Sequence, residues 1–255
     1  MPLINYIGNR LESLAGGTRG FVRGNAPPAP SMSIDYLIVG GGSVGTVNPY
    51  GTGGSGGGFV SASAQVAFPS TLDIIIGQGG TTASLTVAQS SSVSASNFSY
   101  AFAGGANGNN SGAPQVNASG LGQPGPPITF GGGGGATEVG QNGIVGLNGR
   151  GGSGSLWLNG IFYAGGGGGT NGGSVAAGTP GVGGGGFDTA NGDDGKGGGA
   201  GGSGQKGGSG VVIIRYLTNS ISASYVSAIQ GGEVSVTGSY TYHTFTGSAQ
   251  FTYKF

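Results

Sequence analysis

Cysteine is absent from this 255-residue chain, which excludes disulfides and thiolate metal sites. Charge is scarce: eight Lys and Arg balance eight Asp and Glu. With no net charge and no basic stripe to neutralise phosphates, nucleic acid is not expected as a partner. A single histidine leaves little material for acid–base chemistry or an imidazole metal site. There is no apolar run long enough to cross a bilayer, and the N-terminus lacks the charged-then-apolar order of a secretory signal. Membrane insertion and conventional secretion are therefore not expected.

Glycine fills the space. The chain has 66 Gly and 11 Pro, a level at which an aperiodic sequence is ordinarily low-complexity or disordered. The low charge, the 10 Tyr and 11 Phe and several Val/Ile blocks argue for order instead. The pentaglycine Gly131 to Gly135 is echoed at Gly165 to Gly169, Gly183 to Gly186 and Gly197 to Gly199. Such runs have no side chains to bury or ionise, so their contribution must come from the backbone. Fixing a backbone costs about 1–2 kcal/mol per residue, and glycine loses the most freedom. Order here requires unusually complete pairing of N–H and C=O groups. Polyproline-II-type helices turn every three residues and have no internal hydrogen bonds; made of glycine, they can approach on all sides and bond to one another. A strict Gly-X-Y period is missing, which excludes collagen. The expected fold class is mainly β and irregular: a β-strand framework around a glycine-rich core of polyglycine-II-type helices, with a short N-terminal helix.

The chain divides into three parts. In residues 1–33, Leu3, Ile4, Ile7, Leu11 and Leu14 fall three or four apart, which predicts a short amphipathic helix over Pro2 to Ala15. It is too short to be stable alone, and reads either as a cap on the rest of the chain or as a docking peptide for a larger assembly. Gly16 to Ser33, with Pro27-Pro28-Ala29-Pro30, reads as a stiff linker. Residues 34–217 form the glycine-rich domain. Ile34 to Val39 feeds into Gly40-Gly41-Gly42, Leu72 to Ile76 runs into Gly77, and Val211 to Tyr216 follows a glycine run. These near-continuous apolar blocks predict strands buried on both faces or at the junction with the glycine layer. Asn97 to Phe102 alternates as a strand does, and Leu156 to Tyr163 predicts a hairpin with an Asn159-Gly160 turn. In residues 218–255, Glu233 to Val236, Tyr240 to Thr246 and Gln250 to Phe255 predict an antiparallel sheet covering part of the core.

Chemistry-bearing patterns are weak. GxGxxG matches arise by chance in so much glycine, and Gly195-Lys196 is followed by Gly197, where a phosphate loop needs Ser or Thr. His243 lies in a Thr-rich strand with no second histidine and reads as a cross-strand contact. Asp188, Asn191, Asp193 and Asp194 offer oxygen ligands for Ca²⁺ but lack EF-hand spacing, so a solvated turn is favoured. No catalytic, cofactor or metal residue is expected. Surface recognition remains, through Trp157, Phe162 and Tyr163 of the hairpin, Tyr50 and Phe187. Their plausible targets include sugars. The alternative for Trp157 and Phe162 is that they cap the apolar edge of the glycine layer.

The order Asp35 to Gly42, Ile74 to Gly80, Tyr163 to Gly169 and Gly207 to Tyr216 resembles the glycine-rich domain of bacteriophage tail-fibre and virion proteins over about residues 34–216. More distantly, the alternation of glycine motifs and variable segments is similar to the tail-fibre tip adhesins of T-even-type phages. The resemblance implies a non-enzymatic virion protein, a tail-fibre or tail-tip component involved in host attachment. It would contact other virion proteins through its N-terminal segment, meet a glycan or protein receptor, and be oligomeric in the particle. The rivals are a purely architectural junction or decoration protein and an ice-binding protein.

Overall fold

The computed structural model describes residues 31–46, 51–67, 69–82, 87–95, 98–103, 120–121, 123, 127–170, 175–220 and 229–253. The expected helix over Pro2 to Ala15 lies outside these residues, as does Tyr50. Within them the fold is mainly β, with one 3-10 turn at Thr218–Ser220.

The apolar blocks form the expected strands. β1 (Ser31–Val39) and β8 (Val211–Leu217) are antiparallel neighbours at the centre of a five-stranded sheet. That sheet, sheet A, is completed by β2 (Phe59–Ala67), β10 (Glu233–Thr237) and β11 (Tyr240–Phe245), in the order β10-β11-β8-β1-β2. Sheet B contains β3 (Ser70–Ile75), β4 (Ser91–Ala95), β5 (Phe98–Ala103), β9 (Ile229–Gln230) and β12 (Ala249–Tyr253), in the order β5-β4-β3-β12-β9. A short hairpin pairs β6 (Ser155–Leu156) with β7 (Phe162–Tyr163).

Alternation along the strands creates two cores. Ile34, Tyr36, Ile38, Val212, Ile214 and Phe245 of sheet A meet Leu72, Ile74, Val93, Phe251 and Tyr253 of sheet B. On the opposite face of sheet A, Leu37, Val39, Phe59, Val211, Ile213 and Tyr242 cluster with Ala136, Trp157, Tyr163 and Ala164. The central strands are thus buried on both sides, which is why they read as continuous apolar runs.

Two boundaries differ from the sequence reading. Ser31 to Ser33, assigned to the linker, begin β1: Met32 is buried and all three residues pair with β2. The three tail strands do not form one sheet. β10 and β11 pair in sheet A, but β12 crosses to sheet B and pairs with β3. Phe251 and Tyr253 then fill the space between the sheets, a burial unavailable to them beside β11.

The glycine segments continue from the strand ends. Gly40, Ser43 and Thr46 donate to the carbonyls of Gly58, Ser55 and Thr52, so the segment after β1 is antiparallel to the one before β2. Along Gly165 to Gly169 the partner changes at each residue and recurs at every third. Gly165 and Gly168 donate to Gly183 and Gly186, Gly166 and Gly169 to Gly152 and Gly149, and Gly167 to Gly54. Each donor–acceptor distance is 2.8–3.0 Å. The carbonyls of this run accept in turn from Gly199, Gly133, and Gly181 and Gly178, so six neighbouring stretches surround it and no side chain fits between them. A Cβ at Gly167 would overlap the Ala200 carbonyl, and one at Gly133 the Gly54 carbonyl.

Candidate functional site

The registers of the glycine segments show which end of the layer each turn occupies. Segments leave the sheets after Val39 and Ile75, and enter them before Phe59, Ser91 and Val211. Gly53 and Gly56 donate to Gly131 and Gly134, so 131–135 runs back towards the sheets with 51–58. Gln141 donates to Arg150 and Ile144 exchanges bonds with Leu147, so 140–144 runs outward and 147–154 returns. Residues 166–169 run antiparallel to 149–152, 165–168 run parallel to 183–186, and 197–200 run antiparallel to 54–57, which directs all three outward. The turns Ile144 to Leu147, Phe187 to Ala190 and Gly202 to Gly204 consequently gather at the end remote from the strands. We call this end the apex.

The apex presents aliphatic and aromatic side chains. Val145 is 74% exposed, Leu121 72% and Phe187 51%, with Ile144 and Leu147 also exposed. The Leu121 carbonyl accepts from Gly143 N at 2.9 Å, which holds Leu121 beside the 144–147 turn. Asp188 adopts a positive φ of 49° and accepts from the Thr170 hydroxyl, shaping the turn that presents Phe187. Sequence reasoning named Phe187 as a surface residue, and it is exposed; it did not name Leu121, Ile144, Val145 or Leu147, which are exposed as well. The available signal was Ile144-Val145-Gly146-Leu147: apolar residues around a glycine with φ +80°, in text otherwise too polar to form a core.

The hairpin sits at the opposite end of the layer, on the outer face of sheet A. Trp157 N donates to Ile161 O, leaving a three-residue loop with Gly160 at φ +78°. This is the G1-bulge form rather than a two-residue Asn-Gly turn. Trp157 and Tyr163 are each 4% exposed, which removes them as surface contacts. The Trp157 indole N–H donates to Ser61 Oγ at 2.9 Å, and its ring meets Tyr242 edge-on at 6.3 Å. Burial pushes the Tyr163 phenol pKa upward, while its oxygen accepts from Asn159 Nδ2 at 2.8 Å. An apolar face of sheet A needs a cover, and these rings supply it. Phe162 is exposed beside its cross-strand partner Leu156.

Polar side chains elsewhere are committed to the fold. His243 is 1% exposed, with Nδ1 2.6 Å from the Gly231 carbonyl and Nε2 3.2 Å from the Tyr216 hydroxyl. A carbonyl only accepts, so Nδ1 carries the proton and Nε2 accepts from Tyr216. In the acidic segment, Asp193 pairs with Lys196 at 2.9 Å and Asp194 accepts from Ser209 N at 2.8 Å. Asn191 Oδ1 accepts from Lys206 N. Among the described residues no group of three or more His, Asp or Glu is placed to hold a metal ion.

The family model described as "Glycine-rich domain" matches residues 22–217, and the chain belongs to that family. The match ends before β9 to β12, although those strands complete both sheets. No curated protein and no solved structure matches the chain.

Proposed function

We propose that this member of the glycine-rich domain family is a non-enzymatic bacteriophage virion protein, a tail-fibre or tail-tip component involved in host attachment. The phage context comes from the resemblance over residues 34–216. The attachment role is carried by one observation, the gathering of apolar turns at the apex. On this reading the glycine layer is an array of polyglycine-II-type helices; the three-residue alternation of hydrogen-bond partners supports it. Such a base holds its turns without relying on their side chains, leaving them free to meet a host glycan or protein receptor. Leu3, Ile4, Ile7, Leu11 and Leu14 would attach the chain to other virion proteins, with several copies in the tail.

The test is competition. Purified full chain should bind host cells and reduce infection, and Val145→Asp with Phe187→Asp should abolish both without shifting the melting temperature. If the wild-type chain binds no cells, while deletion of Pro2 to Ala15 removes it from particles, the architectural role as a junction or decoration protein replaces adhesion.

One regularity favours the ice-binding reading. Outward residues recur at every third position on neighbouring segments: Gln141 and Ile144 beside Arg150 and Leu147, then Thr179 and Ala176. The Glu138–Arg150 ion pair stands on this same face, where a regular ladder of small residues is needed. Thermal hysteresis in the purified protein would decide for ice; its absence leaves adhesion in place.

A further inference from the structure

The hairpin covers only part of the outer face of sheet A. Beyond it the face continues as a trough of about 170 Å³ lined by Ser33, Asp35, Arg215, Leu217 and Tyr240, among others. Strand register builds its floor: Asp35 lies opposite Ser63 on β2 and Arg215 on β8, and Arg215 lies opposite Tyr242 on β11.

These side chains are held in place before any ligand arrives. Ser63 Oγ donates to Asp35 Oδ1 at 2.6 Å, and Arg215 Nε donates to Asp35 Oδ2 at 2.9 Å. The guanidinium lies 4.1 Å from the centre of the Tyr240 ring, and its Nη1 is 3.4 Å from the Leu158 carbonyl on the hairpin. Hydrogen-bonding capacity is left over. Neither Arg215 Nη2 nor the Tyr240 hydroxyl bonds to a described residue, and each carboxylate oxygen of Asp35 can accept again. A few polar groups converging on a concavity and fixed by their neighbours can orient a small ligand, and the size of this trough suits one small ring rather than a larger molecule.

The charge pattern selects the ligand. Asp35 repels an anion, Arg215 repels a cation, and together they cancel. A neutral molecule with adjacent hydroxyls satisfies both: one hydroxyl donates to Asp35 and its neighbour accepts from Arg215 Nη2. We propose that this trough is a saccharide site for a neutral pyranose with vicinal hydroxyls, with the Tyr240 hydroxyl as a third contact. The site is separate from the apex and does not depend on it.

Ligand-observed saturation-transfer NMR on the full chain tests this, with methyl glycosides of glucose, galactose, mannose and N-acetylglucosamine as neutral probes and N-acetylneuraminic acid as the anionic one. Transfer to at least one neutral glycoside is expected. Tyr240→Phe keeps the ring and should weaken that binding about fivefold, the loss of one hydrogen bond. Arg215→Lys, which retains the charge but not the planar fork, should weaken it further. Circular dichroism melts confirm that each variant folds, and Tyr240→Phe carries the test if Arg215→Lys does not. Gly247→Ala, whose Cβ would meet nothing within 4 Å, should leave sugar binding unchanged. Transfer to no neutral glycoside, transfer to the anionic sugar alone, or neutral binding undiminished in Tyr240→Phe would each overturn the proposal. None of these outcomes bears on adhesion at the apex.

Discussion

The sheets and the glycine layer are adjoining parts of one chain held together by opposite means. Between the sheets, Phe251, Leu72, Ile38 and Ile214 are removed from water, and cohesion scales with apolar area. In the glycine layer the neighbours of Gly133 and Gly167 are other backbones, and cohesion comes from N–H groups meeting carbonyls at 2.7–3.2 Å. Both regions are closely packed, but they should fail differently. The sheet core is damaged by taking atoms away, and the layer by adding them.

Gly167→Val is the most severe test of that contrast. Overpacking an ordinary core costs about 1–3 kcal/mol because side chains can shift. Here the obstruction is the Ala200 carbonyl, fixed in a hydrogen bond from Gly54 N, so we expect no cooperative unfolding transition at all. Gly247→Ala is the matched control: its Cβ would meet nothing within 4 Å, and the expected change is within about 0.5 kcal/mol. Equal tolerance at the two sites in thermal melts would erase the distinction. Phe251→Ala comes next. Its ring is 0% exposed between the sheets, and truncation should cost about 3–5 kcal/mol by urea titration.

Ser91→Ala probes the seam. The buried Ser91 hydroxyl donates to Val39 O at 2.6 Å, where β1 ends, and accepts from Gly77 N at 2.9 Å, just past β3. One hydroxyl thus ties both sheets to the start of the layer. Its removal leaves a buried donor and a buried acceptor without this partner, so a loss of about 1–3 kcal/mol is expected. A loss below that range would mean the two regions are joined mainly by the continuous chain and the neighbouring Gly210–Gly77 bond.

The legible parts of the fold were those whose residues decide their own environment. β1 and β8 announce themselves because a strand buried on both faces is apolar along most of its length; β3 was legible as an apolar block too, but it is buried on one face only, with Asp73 and Ile75 exposed. β2 and β4 were missed: Phe59–Ala67 and Ser91–Ala95 are mostly Ser and Ala, with little preference for strand. β2 forms because β1 offers it nine consecutive partners, a non-local cause. The destination of β12 was hidden for the same reason, since Phe251 and Tyr253 specify an apolar face but not which sheet it completes. At the candidate sites, exposure was the hard quantity. Trp157 has the composition of a contact residue but serves as a cover, whereas Val145 has the composition of core and stands in solvent.

The smallest expected effect lies where sheet A meets the link between β9 and β10. Burial holds the His243 pKa below its usual 6.5, outweighing the Gly231 carbonyl bond that raises it. The folded imidazole therefore stays neutral in a range where the unfolded one gains a proton. Because the folded pKa is depressed, the contribution is complete above 6.5 and is lost as the pH falls from there towards the folded value. The slope cannot exceed about 1.4 kcal/mol per pH unit for a single proton. With one histidine and no cysteine in the chain, few other groups titrate between pH 7 and 5.5. Urea titrations should give lower stability at pH 5.5 than at pH 7, and His243→Asn should flatten that difference while lowering stability at both. A wild-type chain equally stable at the two values would mean that the sheet edge opens readily enough to hydrate the ring. The boundary between side-chain and backbone cohesion would then lie inside sheet A rather than at its glycine end.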